Sequence, residues 1–504
     1  MSDITGDKRR TFGGWIPDRR TTIGGLTVIG WMVTLVGIVL AMMSFAVGSW
    51  GAALITLAVT MLVVVFFGLR FGDPNVGTTL AQRIAARILA GNRIARGEAR
   101  YRTGMFSNLP PGQVTALPGT LANMIEIDGT DGRGTPYTLL YHPVGRTLVA
   151  VFACAPDGTQ LQEQEAIDQS VSWYGGWIAS HSQDSAIVGA TVVTDTALRS
   201  SEPLIAKIAN GIDPNAPEIA RAATLEGARR LPGRSTESTT WACVAWSVEG
   251  LASTLEEAHA EVAAKLPYHV DALRAAGGGA VVPATSSMLA AMVQVAYDPE
   301  RSTEIATDDL LGLHNPIRVS QAGPEYFDDD YKRVVLHDGV ASMTALGLVP
   351  PRVEITENTL DGLFGPADRF LRKRVAVMYR PVSPAKTMHL AEQMSKGSHM
   401  EATAKGRVSE HSRRKVGQAQ HLERQVVEGA AMTRISIAVT VTFAQDARAY
   451  REALTKLKSL LESSSIAYRM CDWDAGPAFH TTLPLGVLPW LYEPLVEKAA
   501  GAIA

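Results

Sequence analysis

"TRISIAVTVTFAQDARAYREALTKLKSLLESSSIAYRMCDW", residues 433–473, decides how the larger part of this chain is read. Residues 433–443 alternate apolar and polar side chains with a period of two, which predicts a half-buried strand. Residues 447–464 place apolar side chains three and four apart, which predicts an amphipathic helix, and 466–473 return as a strand. Strand, helix and strand form a β-α-β unit of the ferredoxin-like type, and the expected class is α+β.

Upstream, the pattern recurs in looser form. "KRVAVMYRPVS" (373–383) reads as a strand, followed by a polar, mostly helical run to about 431. "TTWACVAWSV" (239–248) is a strand, 253–277 is helical, and 286–300 is a short helix ended by Pro299. "YTLLYHPVGRTLVAVFACAP" (137–156) predicts a hairpin, 161–181 a helix and "AIVGATVVTDT" (186–196) a strand. Residues 198–229 read as polar helix, and 300–365 as irregular and acidic around "TALGLV" (344–349). Two such units facing each other would account for these blocks.

The amino-terminal end differs in kind. Residues 24–47 hold no charge, and a second apolar run fills 51–69. About 20 helical residues cross hydrocarbon, so the two runs predict a transmembrane hairpin, helices about 24–47 and 51–70, bent at "AVGSWGA" (46–52). Gly24, Gly30 and Gly37 lie near one face of the first run and suit close helix packing. Arginines flank the outer ends and none lies in the bend. The positive-inside rule therefore predicts a multi-pass protein of the plasma membrane, with residues 1–22 and everything after about 70 cytoplasmic. Residues 79–96, with Leu80, Ile84, Ile88 and Leu89 on an apolar side and Arg83, Arg87, Arg93 and Arg96 lining much of the rest, suit either an anionic lipid surface or a partner protein.

The expected organisation is a basic tail (1–22), the hairpin (23–71), a basic juxtamembrane helix and linker (72–107) and a first α+β subdomain (108–236). A second α/β region with acidic loops (237–370), a carboxy-terminal α+β subdomain (371–486) and a tail (487–504) follow.

Composition narrows the chemistry. A net charge of −3 over 504 residues excludes a generic nucleic-acid binder. Cys154, Cys243 and Cys471 are too far apart in sequence for a zinc motif or a disulfide framework. "GDPNVGTT" (Gly72–Thr79) has the glycine spacing of a phosphate loop, but Thr78 stands where the lysine belongs and no strand precedes it. His411 and His421 fall on different sides of a helix and form no metal motif. Asp328, Asp329 and Asp330 read as a solvated acidic loop. Lys405, Arg407, Arg413, Arg414 and Lys415, with Glu401 and Glu410 nearby, read as a solvated helical face. No catalytic, cofactor or metal residue is assigned. An enzyme would need clustered polar groups in a pocket, for instance around Asp328 and His337.

The whole chain resembles the integral membrane proteins of actinobacterial conjugation-like gene clusters. Residues 16–71, with "WIPDRRTTIGGLT" and the exit "FFGLRFGDPNVGTTLAQRIAAR", are similar to the PrgI-type hairpin component of conjugative type IV secretion. "RVAVMYRPVSPAKT" (374–387), the strand 434–443 and "YRMCDWDAGPAFHTTLPLG" (468–486) are similar to the non-catalytic amino-terminal domain of the large secretion ATPase of those systems. In that ATPase a comparable Leu-Pro-Gly segment leads into the motor domain. Here Leu483-Pro484-Leu485-Gly486 is followed by only eighteen residues, and no ATPase residue carries over. The EccE-type component of type VII secretion is a second resemblance in general plan. The resemblance implies a non-enzymatic membrane scaffold without a cofactor. Its partners would be the lipid bilayer, a separate secretion ATPase and other membrane components. A homo-oligomer and direct nucleic-acid contact stay open, as does the cargo.

Overall fold

In a computed structural model, the structure describes residues 28–71, 77–103, 117–156, 158, 162–311, 317–349, 360–365, 370–389, 392, 396 and 432–492. The helical run expected to about 431 begins as a helix at 384–389, while most of its remainder, its cationic cluster at 405–415, His411 and His421 lie outside these residues.

The chain begins with two apolar helices, α1 (Val28–Ala46) and α2 (Trp50–Val63), the second continued by a π-helical turn over Val64–Gly68. The turn between them uses Gly48 at φ +79°, a left-handed conformation that glycine adopts without a Cβ penalty. Ser49 Oγ donates to Ser44 O at 3.0 Å, and the Phe45 and Trp50 rings sit 4.7 Å apart across the turn. Gly37 lets α1 approach α2, since a Cβ there would collide with the Thr60 side chain.

A ribbon of β1 (Arg70–Phe71) and β2 (Thr78–Thr79) leads into α3 (Leu80–Ala95) and then β3 (Arg100–Arg102). The first half of the body holds β4 (Ile125–Thr130), β5 (Pro136–His142), β6 (Thr147–Ala155), α4 (Gln164–Ser180) and β7 (Ile187–Ser200). It continues through α5 (Glu202–Asn210), α6 (Glu218–Arg229), β8 (Arg234–Ser247), α7 (Val248–Leu251), α8 (Leu255–Leu273), β9 (Ala280–Pro283) and α9 (Ser286–Tyr297). After α10 (Arg301–Leu311), the second half holds β10 (Tyr326–Asp328), β11 (Val335–His337), β12 (Val340–Val349), α11 (Asp361–Phe364) and β13 (Arg372–Pro381). It ends with β14 (Thr433–Ala444), α12 (Ala447–Ser463), β15 (Ala467–Met470) and α13 (Ala475–Thr481).

Strands β3 to β15 form one 13-stranded sheet. Its path is β3-β10-β11-β12-β14-β13-β7-β8-β6-β5-β4, with β15 beside β12 and β9 beside β6. The two halves repeat one connectivity. β9-β6-β8-β7 and β15-β12-β14-β13 each run fourth, first, third, second in chain order. They join antiparallel through β7 and β13, with Arg372 opposite Ala197 and Tyr379 opposite Ala190, so an approximate two-fold axis passes between these strands.

The alternation along each strand explains the layers. Leu148, Ala150 and Phe152 of β6 face α4 and α8, while Val149 and Val151 face the opposite layer of α9, α13 and residues 483–490. In the second half Val439 and Val441 pack on α12, while Ala438 faces the shared layer. The outer helices are built alike. α8 buries Ala258, Val262, Leu266 and Val270 at intervals of four, and α12 buries Ala453, Leu457 and Leu461. Thr254 caps α8 by accepting from the Glu257 N–H at 3.2 Å, and Asp446 caps α12 by accepting from the Arg448 and Ala449 N–H groups.

Two expectations are corrected. The expected class, a transmembrane hairpin followed by ferredoxin-like or mixed α+β subdomains, gives way to a large mixed α/β body on one extensive sheet. The β-α-β stretch at 433–473 belongs to that sheet because β14 pairs with β13, which in turn pairs with β7. The expected multi-pass placement also fails. Among the described residues one helix, Trp50–Gly68, is long and apolar enough to cross a membrane, and the apolar stretch of α1 (Gly30–Ala46) is shorter. Only 11 % of the apolar window in Trp50–Gly68 is buried in the protein.

Candidate functional site at the junction of apolar helices and body

The junction is built from α3, β3 and the aspartate triplet. α3 starts on a capping box in which Thr79 Oγ1 accepts from the Gln82 N–H and Gln82 Oε1 accepts from the Thr79 N–H. Arg83 fastens this end to the exit of the apolar helix by donating to Phe71 O at 3.0 Å. At the other end Arg93 reaches Asp329 Oδ2 at 2.7 Å, and Arg87 lies over the Trp473 ring at 5.8 Å. β3 pairs with β10, and Asp329 N–H donates to Ala99 O at 2.9 Å.

The aspartates are therefore not a solvated loop. Asp328 is the last residue of β10 and is buried. It accepts from Tyr326 Oη at 2.8 Å and pairs with Arg100 at 3.2 Å. Asp330 takes a second bond from Arg100 at 2.9 Å. Asp329 is buried too and accepts from the Gly476 N–H at 2.8 Å. That contact needs glycine, because a Cβ at 476 would lie 2.7 Å from Asp329 Oδ2. Burial pushes the Asp329 carboxyl up to about 7, against the opposing pull of Arg93 and the Gly476 N–H.

Beside the clamp lies a cleft of about 530 Å³, whose wall includes Arg93, Asn123, Phe327, Asp329, His480 and Tyr492. His480 Nδ1 meets Thr120 Oγ1 at 2.8 Å, and Nε2 meets Tyr297 Oη at 3.0 Å. Burial, with Arg374 and His337 nearby, lowers His480 to about 3, so the imidazole is neutral at pH 7. A proton acceptor that weak is poorly matched to general-base chemistry at neutral pH, while it suits a fixed hydrogen-bond link between the halves.

Asp328 and His337 do not share a cavity. The cleft takes Asp329 rather than Asp328 into its wall, and His337 is fully buried against Tyr297 O and Ser342 Oγ. Cys154, Cys243 and Cys471 are free thiols, and burial raises all three, Cys154 to about 11. Among the described residues no group of three or more His, Cys, Asp or Glu side chains is arranged to hold a metal ion. Sequence reasoning missed Arg93, Arg100, Gly476 and Thr120 as one site. The only local hint was three adjacent acids in a chain whose basic excess lies at 70–102.

This geometry defines a class: an apolar helical end clamped to a two-fold α/β sheet. Compared with known proteins, the chain matches no family model and no curated sequence.

Proposed function

We propose that this protein is a non-catalytic membrane scaffold. The apolar helix Trp50–Gly68 holds the chain at a bilayer, and the sheet body docks a separate polypeptide. The resemblance of residues 374–387 and 468–486 supports an ATPase of a conjugative-type secretion apparatus as that polypeptide. One observation carries the reading. An apolar helix with Leu54, Ile55, Met61 and Leu62 about two-thirds exposed is fixed, through α3, to a body by Arg93–Asp329 and the two Arg100 pairs. Such a surface is unfavourable in water and favourable in lipid. The clamp would pass the position of the bilayer to the body.

The test is affinity purification of the full chain from native membranes in mild detergent. A stoichiometric complex with a nucleotide-hydrolysing polypeptide is expected. Recovery of the chain alone, where other membrane complexes survive, overturns the reading.

A further inference from the structure

α3 uses only part of its circumference to hold the body. Ala90 is buried, Arg93 makes the clamp and Arg87 covers Trp473. Ile84, Ile88 and Leu89 point elsewhere, and are 43 %, 57 % and 64 % exposed. At 3.6 residues per turn Ile84 and Ile88 stack, and Ala81, Ala85 and Leu89 widen the strip.

The borders of this strip are cationic. Arg83 and Arg87 run along one side and Arg96 closes the carboxy-terminal end, two turns beyond Leu89, with no acid anywhere in Leu80–Ala95. Arg83 donates to neutral oxygens, Thr78 Oγ1 and Phe71 O, both at 3.0 Å. Among the described residues neither Arg83 nor Arg87 has an ion pair. Arg96 is exposed and reaches Glu98 only at 3.7 Å. The Arg83–Phe71 bond makes the strip continuous with the exit of the apolar helix.

An apolar strip with basic borders beside a membrane-held helix matches a surface lying in the headgroup layer. The geometry points to α3 as a binding surface for anionic phospholipid, with Ile84, Ile88 and Leu89 at the acyl boundary and Arg83, Arg87 and Arg96 on the headgroups. The assignment rests on the reading of Trp50–Gly68 as a bilayer-held helix.

The test uses the full chain in nanodiscs of phosphatidylcholine alone or mixed with phosphatidylglycerol. An environment-sensitive dye is attached at Ile88→Cys, with Glu226→Cys on the exposed part of α6 and the dye-treated wild type as controls. A blue shift at 88, with quenching by spin-labelled lipid, is expected in the phosphatidylglycerol discs. Both should be lost with Arg83→Glu and Arg87→Glu together, while the chain stays in the disc. Three results overturn it: an aqueous spectrum at 88 in both discs, an equal shift in both, or a shift that no lipid quencher reaches, which would mean a protein contact. Failure of the anchor reading is separate, because the chain would then not enter discs of either composition.

Discussion

The two halves of the sheet share a strand order but are closed in different ways. In the first half Glu126 of β4 meets Ser286 at the start of α9, accepts from the Ser320 N–H at 2.7 Å and pairs with Arg318 at 3.4 Å. In the second, Asp329 meets Gly476 at the start of α13 and pairs with Arg93. Each carboxylate supports a helix N-terminus of its own half, where negative charge is favourable. The partner cation differs. Arg318 comes from within the body, whereas Arg93 comes from the helix that leads to the apolar end. The first half is closed by the body itself, and the second is the attachment point, beside a cleft that both halves line.

The strongest way to break the comparison is at the seam. Asp195 on β7 holds Arg372 on β13 at 2.7 Å with both side chains buried. Asp195→Ala leaves a buried guanidinium without its partner and should cost roughly 3–5 kcal/mol, read by urea unfolding in detergent. The halves should then unfold in two steps rather than one. Tyr297→Phe removes the hydroxyl that meets His480 across the shared layer. It should cost about 1–3 kcal/mol and leave the apolar packing of α9 unchanged.

A pH series probes the carboxylate on the attachment side. Asp329 is raised to about 7, so its folded-state proton affinity exceeds that of the unfolded chain. Its contribution is present below about pH 4 and is lost as pH rises through 7, by at most about 1.4 kcal/mol per pH unit. Asp329→Asn should remove that slope, measured as the difference in unfolding free energy between variant and wild type from pH 4 to 7. The smallest effect is expected at Arg133–Asp271, a 2.6 Å pair with both side chains half-exposed in the first half. Arg133→Ala should leave the urea midpoint almost unchanged, and any shift should shrink further in high salt.

Local pattern carried the elements well and their assembly poorly. The hairpin at 137–156, the helix at 161–181 and the strands of 433–473 were legible because periodicity is a local property. α10, with few apolar residues, read as irregular, and the three-residue strands β10 and β11 gave too short a pattern. The β7–β13 join left no trace, since two alternating strands look alike whether or not they meet. Lys373 and Arg374 are buried charges on a central strand, which hydropathy alone does not foresee. The aspartates were misread because their partners, Arg93 and Arg100, lie more than 200 residues away in sequence. The membrane reading overreached for a different reason. A stretch of uncharged residues sets an upper bound on a span, while the described apolar part of α1 falls short of Trp50–Gly68.

Hydrogen–deuterium exchange on the full chain in detergent tests the attachment most directly, comparing wild type with the Arg93→Ala, Asp329→Asn double variant. Loss of protection is expected in residues 86–102 and 326–330, with β5 and β6 of the first half unchanged. Equal loss in both halves, or no change at the junction, would contradict a body held to its apolar helices through the second half.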